Sequence, residues 1–320
     1  MPKVSVIITT YNSMPYFVET LDSVLRQTFA DFEVIVVDDG STDQTTTWAS
    51  RIDDSRVKLI PQPNQGVSVA RNTGISHAKG NYVAFLDGDD LWESTKLEKQ
   101  VQVLDCYPQI GLVHTWLALM DEQSHLTGRV MRPRAEGEVW EQIIENNMVA
   151  CSAAMVRRCC LEKVGVFEPN LLVAEDWDLW IRIAASYPFA VIKEPLVHYR
   201  LHTQSKSKRY PAMVQNFRTI IERAFESVPY ELLHLRNRSY GRVNLCIAWK
   251  CIQTSEPDFE KATDFVRRAL LHYPQLRFSR EYMRLILAIV MMRWFGPQSY
   301  SWLLNLFNAL RRRLAVSSSL

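Results

Sequence analysis

The sequence predicts an α/β protein, with a doubly wound, mostly parallel sheet followed by a helical extension. Three observations carry that prediction. Short β-branched apolar runs alternate with helix-period segments through the first hundred residues, as in a sheet with crossover helices. Acidic clusters at Asp38-Asp39 and at Asp87, Asp89 and Asp90 close two of those runs, at the strand ends where such sheets bind ligands. Beyond residue 207 the pattern becomes helical, punctuated by Pro229, Pro257 and Pro274.

The elements follow in order. Residues 4–9 (VSVIIT) are nearly all apolar and β-branched, the signature of a buried strand. Pro15 opens a helix to about residue 27, with Phe17, Leu21, Val24 and Leu25 at helical spacing. Residues 33–37 form a second strand, and Ser41 or Thr42 is expected to cap the next helix. A short strand at 57–60 precedes Pro61 and Pro63, a helix spans 66–78, and a fourth strand spans 82–86. A helix at 94–106 leads to apolar segments at 110–120 and 150–156, with a loop holding Pro133 and Gly137 between them. A helix at 176–186 and two closing strands at 191–192 and 196–199 complete this part. Helices are then expected at 212–227, 232–254 and 259–272. These patterns divide the chain into 1–207, whose halves are 1–100 and 101–207, and a helical extension over 208–320.

Composition sets limits. An apolar fraction of 47% and a charged fraction of 22% are ordinary for a globular protein. A net charge of +2 makes no case for a nucleic-acid partner. The six cysteines form no C-x-x-C pair and no zinc spacing. They read as thiols of a reducing compartment, so a cytoplasmic location is expected. The amino terminus lacks the features of a signal peptide, and its apolar run is too short to span a bilayer.

The stretch 82–92, YVAFLDGDDLW, is the most informative. Three carboxylates at the end of a buried strand are costly without a cation. Hard oxygen ligands point to Mg2+ or Mn2+ carrying a diphosphate. Capping of the next helix is the plainer reading, but one Asp is enough for a cap.

Five segments together resemble the family 2 glycosyltransferases: VSVIITTYN at 4–12, VVDDGSTD at 36–43, NQGVSVARNTGI at 64–75, AFLDGDD at 84–90 and EDWDLWIRIA at 175–184. The resemblance covers roughly residues 3–207. It implies an inverting enzyme of GT-A fold that uses a nucleotide-diphosphate sugar, most readily a UDP-sugar. By the same resemblance Thr9 and Tyr11 line the base and ribose pocket, Asp39 accepts a hydrogen bond from the base imide, and Arg71 lies near the nucleotide. Asp87 and Asp89 face the ribose and the metal, and the direct ligand is left open between Asp89 and Asp90. Asp176 is the implied base that takes the acceptor proton. Glu175 joins the sugar-binding residues and orients the acceptor. Trp177 is a candidate to stack on a sugar, Trp180 a core residue, and Asp178 with Arg182 a structural pair. The segment HYRLH at 198–202, followed by Ser205 and Ser207, resembles the family's YRxHxxSxS. It implies His202 at the metal and Arg200 at a phosphate.

The Q-x-x-R-W motif of processive relatives is absent. The expected acceptor is therefore a glycan, a lipid-linked oligosaccharide or a polysaccharide precursor that receives one sugar. A nucleotidyltransferase is disfavoured because residues 9–14 contain no glycine. An inactive nucleotide-sugar-binding module is disfavoured because every candidate carboxylate is present. Near the carboxyl end, Trp302, Leu303, Leu306, Phe307 and Leu310 share a helical face that leads into Arg311, Arg312 and Arg313. This segment either lies peripherally on an anionic bilayer or packs on the helix before it.

Overall fold

The protein is described by a computed structural model covering residues 1–202, 210–254, 256–296 and 299–300. The chain divides into two compact units, one of Met1–Ser205 with Glu222–Glu226 and one of the remainder.

The first unit is built on a nine-stranded sheet. Its strands are β1 (Val4–Thr10), β2 (Phe32–Asp38), β3 (Val57–Pro61), β4 (Tyr82–Asp87), β5 (Leu91–Trp92), β6 (Leu112–Met120), β7 (Leu126–Met131), β8 (Met155–Arg157) and β9 (Phe189–Arg200). The order is β3-β2-β1-β4-β8-β6-β9-β5, with β7 paired to β6. The first four strands are parallel neighbours. Beyond β4 the sheet is mixed, because β8 runs antiparallel to both β4 and β6 while β9 runs parallel to β6. Strand order reverses direction at β1, which lies between β2 and β4. The crevice outside their carboxyl ends is the natural ligand site. Register brings Thr10 opposite Asp38 and Thr9 opposite Asp87, so both acidic loops leave the sheet at one level.

The helices of this unit are α1 (Met14–Leu25), α2 (Thr45–Ala49), α3 (Val67–His77), α4 (Lys96–Cys106), α5 (Trp140–Glu145), α6 (Arg158–Val164) and α7 (Glu175–Ala184). The helix α1 buries Phe17, Leu21 and Val24 in one core cluster with Val4, Val6 and Ile8 of β1. The helix α3 packs closely enough that a Cβ at Gly74 would overlap the Ile7 side chain. Helix propensity alone favours alanine there by about 1 kcal/mol. Ile7 is buried and cannot withdraw, so overpacking outweighs that gain. Gly74→Ala is expected to lower stability by about 1–2 kcal/mol in urea unfolding.

Several expectations are corrected. Neither Ser41 nor Thr42 caps α2. Asp43 instead accepts the Thr45 N–H at 2.9 Å, while the Ser41 hydroxyl donates to Asp38. The two closing strands are one continuous strand, β9. Pro195 is accommodated where the β6–β9 register shifts, since a bulge relieves proline of its missing donor. The loop around Pro133 and Gly137 is followed by α5, and 150–156 begins with a 3-10 turn at Cys151–Ala153 before β8.

The second unit is helical. Its elements are α8 (Tyr210–Ala224), which runs on into the first unit at residue 222, α9 (His234–Ile252), α10 (Phe259–His272) and α11 (Arg280–Phe295). Asp258 and Ser279 cap α10 and α11 by accepting the Lys261 and Tyr282 N–H groups. Ser205, Ser207 and the amphipathic segment 301–314 lie outside the described residues.

Candidate active site

The carbonyls at the end of β1 hold both acidic loops. Thr9 O accepts the Gly88 N–H and Thr10 O accepts the Asp39 N–H, each at 2.9 Å. Gly88 lets the loop come close, since a Cβ there would stand 3.1 Å from the Thr10 side chain and the Thr9 carbonyl. Thr9 is buried and Tyr11 is exposed beside it. The next residue, Asn12, adopts a left-handed φ of 51°, a conformation asparagine tolerates better than most residues. Its Oδ1 accepts the Thr42 and Asp43 N–H groups at 2.7 and 3.3 Å, clamping the β1 and β2 loops together. The sequence reading missed Asn12, although an asparagine just after a strand is a recognisable turn signal.

Asp39 is buried and organises the loop before α3. Its Oδ1 accepts from Gln62 Nε2 at 2.8 Å and the Gln65 N–H at 2.9 Å, and its Oδ2 accepts the Gly66 N–H at 2.9 Å. A carboxylate has about four acceptor positions, so three protein donors leave one on Oδ2.

Arg71 is the centre of the constellation. Its guanidinium is buried and forked between two carboxylates, Asp87 Oδ1 at 2.7 Å and Glu175 Oε1 at 2.6 Å. The Phe167 ring lies 5.2 Å from its Cζ. The fork joins the end of β4 to the first turn of α7. Glu175 is thereby a buried partner of Arg71. Asp87 stays partly open and its N–H donates to Ser152 Oγ at 3.2 Å.

The structure separates the adjacent carboxylates. Asp89 is part-exposed, with Oδ2 2.7 Å from His202 Nε2. Asp90 is buried. Its Oδ1 accepts the Arg200 N–H at 2.9 Å and its Oδ2 accepts the Ser152 hydroxyl at 2.6 Å. Burial, with the Asp89 and Asp87 charges nearby, holds the Asp90 carboxyl well above its ordinary range. Asp90 thus brackets β9 and the 3-10 turn, with both oxygens engaged, and of the two candidate ligands Asp89 is the more open. Arg200 is corrected. Its fully buried guanidinium donates to Asp89 O at 2.7 Å, Ser124 Oγ at 2.8 Å and Glu19 Oε1 at 2.5 Å, over the Tyr16 ring. Its burial, with no exposed guanidinium surface, keeps it from a phosphate.

Asp176 is half-buried, the second residue of α7, whose N-cap Ala174 has a left-handed φ of 60°. Its Oδ1 accepts from Asn147 Nδ2 at 3.0 Å and from the Trp177 N–H at 2.8 Å. Among the described residues this leaves Oδ2 open. Burial, then the neighbouring Glu175 charge, push its pKa up to about 7. Asp178 pairs with Arg182 at 2.7 Å inside α7. Trp177 is corrected from a sugar-stacking candidate. Like Trp180 it is buried, and the indole N–H groups donate to Ile143 O and Val149 O. Tyr199 packs against the hydrophobic core, and burial with the nearby carboxylates pushes its phenol well up.

Among the described residues no three His, Cys, Asp or Glu side chains gather as a metal site. Asp89 and His202 are a pair, and a metal that brings a diphosphate needs few protein ligands. The Asp89 carboxylate suits Mg2+ or Mn2+, and the His202 imidazole is a nitrogen donor beside it.

Residues 5–164 match the model of the family described as Glycosyl transferase family 2. The chain belongs to glycosyltransferase family 2. It is 34% identical over 200 residues to an uncharacterized glycosyltransferase of Rickettsia felis, covering 62% of this chain and 33% of that one. The chain spans about a third of the length of that relative and of two further Rickettsia proteins it matches. This family 2 chain is 30% identical to the UDP-Glc:alpha-D-GlcNAc-diphosphoundecaprenol beta-1,3-glucosyltransferase WfgD of Escherichia coli, over 64% of this chain and 79% of that one. Its structure resembles the mannosyltransferase PcManGT of Pyrobaculum calidifontis in complex with GDP-Man and Mn2+. The TM-score is 0.61 at 22% identity, covering 92% of this chain and 87% of that one. The fold is that of the GT-A glycosyltransferases.

Proposed function

We propose that this chain transfers one sugar, with inversion, from a nucleotide-diphosphate sugar to a hydroxyl of a glycan, lipid-linked or polysaccharide-precursor acceptor. The observation that carries the reading is the Arg71 fork, which ties the donor-side Asp87 to the helix start that presents Asp176. Thr9, Tyr11 and Asp39 form the base and ribose side, and Asp87 meets the donor at the end of β4. Asp176 Oδ2 takes the acceptor hydroxyl proton as the oxygen attacks the anomeric carbon. The bond to the β-phosphate oxygen breaks on the opposite face, and the nucleoside diphosphate leaves. Asp89 and His202 would hold a divalent cation, Mn2+ or Mg2+, that offsets the charge growing on the leaving diphosphate.

A UDP-sugar is the proposed donor. The name of WfgD, which specifies UDP-Glc and a diphosphoundecaprenol acceptor, supports that donor and a lipid-linked acceptor. No helix among the described residues is long and apolar enough to cross a membrane. We place the enzyme in the cytoplasm, with peripheral contact at the inner membrane face through 301–314.

The test is thermal unfolding with UDP-, TDP- and GDP-sugars, with and without Mn2+. A bound donor raises the midpoint by mass action. The largest shift is expected for the UDP-sugar with Mn2+ in wild type, and Asp89→Ala is expected to lose the Mn2+-dependent part. An equal manganese effect in Asp89→Ala and wild type would remove Asp89 from the metal.

A further inference from the structure

The helix α11 carries an apolar stripe on its exposed side. It buries Leu285, Ala288 and Ile289. On the opposite side Met283, Leu287, Val290 and Trp294 stand 54%, 45%, 46% and 78% exposed. Their spacing of four, three and four residues sets them in a single line along the helix. Four exposed apolar side chains in one line, rather than scattered singly, are the pattern of an interaction face. Helical geometry puts Arg280 and Arg284 on one flank of the stripe and Arg293 on the other. The one acidic residue of α11, Glu281, is held by Arg242 at 3.0 Å. From Tyr282 to Leu320 the sequence contains five arginines and no aspartate or glutamate.

We propose that this face of α11 is a docking surface for an anionic lipid bilayer. A stripe of Met, Leu, Val and Trp fits the boundary between headgroups and acyl chains, and flanking arginines meet anionic headgroups. A second copy of the chain is a poorer occupant. Parallel twofold pairing of this face would set Arg280 and Arg284 near their own counterparts, on a flank that carries no carboxylate. The site is distinct from the segment 301–314 and is independent of the transferase reading, because lipid binding is measured without donor or acceptor.

The test is co-sedimentation of the full chain with vesicles of phosphatidylglycerol and phosphatidylcholine, against phosphatidylcholine alone, at low and high salt. The double variant Leu287→Glu/Trp294→Glu is expected to bind anionic vesicles about tenfold or more weakly. Both positions are exposed, so unfolding midpoints should match wild type. Arg280→Gln/Arg284→Gln is expected to lose part of the binding to anionic vesicles, the part that high salt also removes. Wild-type sedimentation by the Leu287→Glu/Trp294→Glu variant overturns the proposal. So does an oligomer in ultracentrifugation that this variant dissociates while neither form binds lipid. If Arg311→Gln/Arg312→Gln/Arg313→Gln abolishes vesicle binding and the α11 variant does not, the tail binds lipid and α11 does not.

Discussion

Asp176→Asn is expected to reduce turnover by roughly 100-fold or more while leaving UDP affinity unchanged, the usual consequence of losing a general base. Asp176 leads α7 with Oδ2 open, whereas the donor-side groups sit at the ends of β1, β2 and β4. The change should therefore fall on kcat measured in steady state and spare nucleotide binding measured by calorimetry. Equal losses of both would mean that the start of α7 had been disrupted. A pKa of about 7 also predicts that wild-type turnover falls as pH drops below that value. Stability shifts in the opposite sense. The folded pKa lies above the unfolded one, so Asp176 favours the fold fully below about pH 4 and loses that contribution as pH rises through about 7. Asp176→Asn should thus be more stable than wild type at pH 8, by on the order of 1–3 kcal/mol, with the gap closing at acid pH. Denaturant unfolding at the two pH values checks the sign.

Arg71→Met is expected to cost about 3–5 kcal/mol, the range for removing one partner of a buried ion pair. The penalty falls mainly on Glu175, which is buried, because Asp87 is partly open to water. Arg71→Lys should recover little, since an ammonium lacks the planar fork that reaches two carboxylates in fixed directions. Both variants should lose transfer, because the fork positions Glu175 next to Asp176. An Arg71→Met protein with wild-type urea midpoint and turnover would sink the bridging role. A midpoint that falls while turnover holds would leave Arg71 a purely structural residue.

Much of the first half was legible in the sequence. The runs at β1, β2 and β4 are β-branched and apolar, and their carboxyl ends carry the acids, so strand type and site position came together. The choice between Asp89 and Asp90 was not legible. Neighbouring residues point opposite ways, and what holds Asp90 inward lies far along the chain, at Ser152 and Arg200. Arg200 misled for the same reason: a cation next to acids looks available until Glu19 and Ser124 are brought to it. Trp177 sat in the right motif, but only the path of α5 shows that its indole meets Ile143 O. The unity of β9 was hidden by Pro195, because the proline sits where extra β9 residues shift the register against β6, and that pairing is visible only once the two strands are side by side.

The Arg71 fork also bears on the order in which this molecule forms. Its bond to Asp87 spans 16 residues and its bond to Glu175 spans 104. Loop-closure entropy makes the shorter link accessible far earlier than the longer one. A nascent chain can thus present the donor-side carboxylate at the end of β4 long before α7 is docked with Asp176 at its head. The two halves of the fork therefore close over very different lengths of chain, and the longer closure is the one that brings the start of α7 to the end of β4.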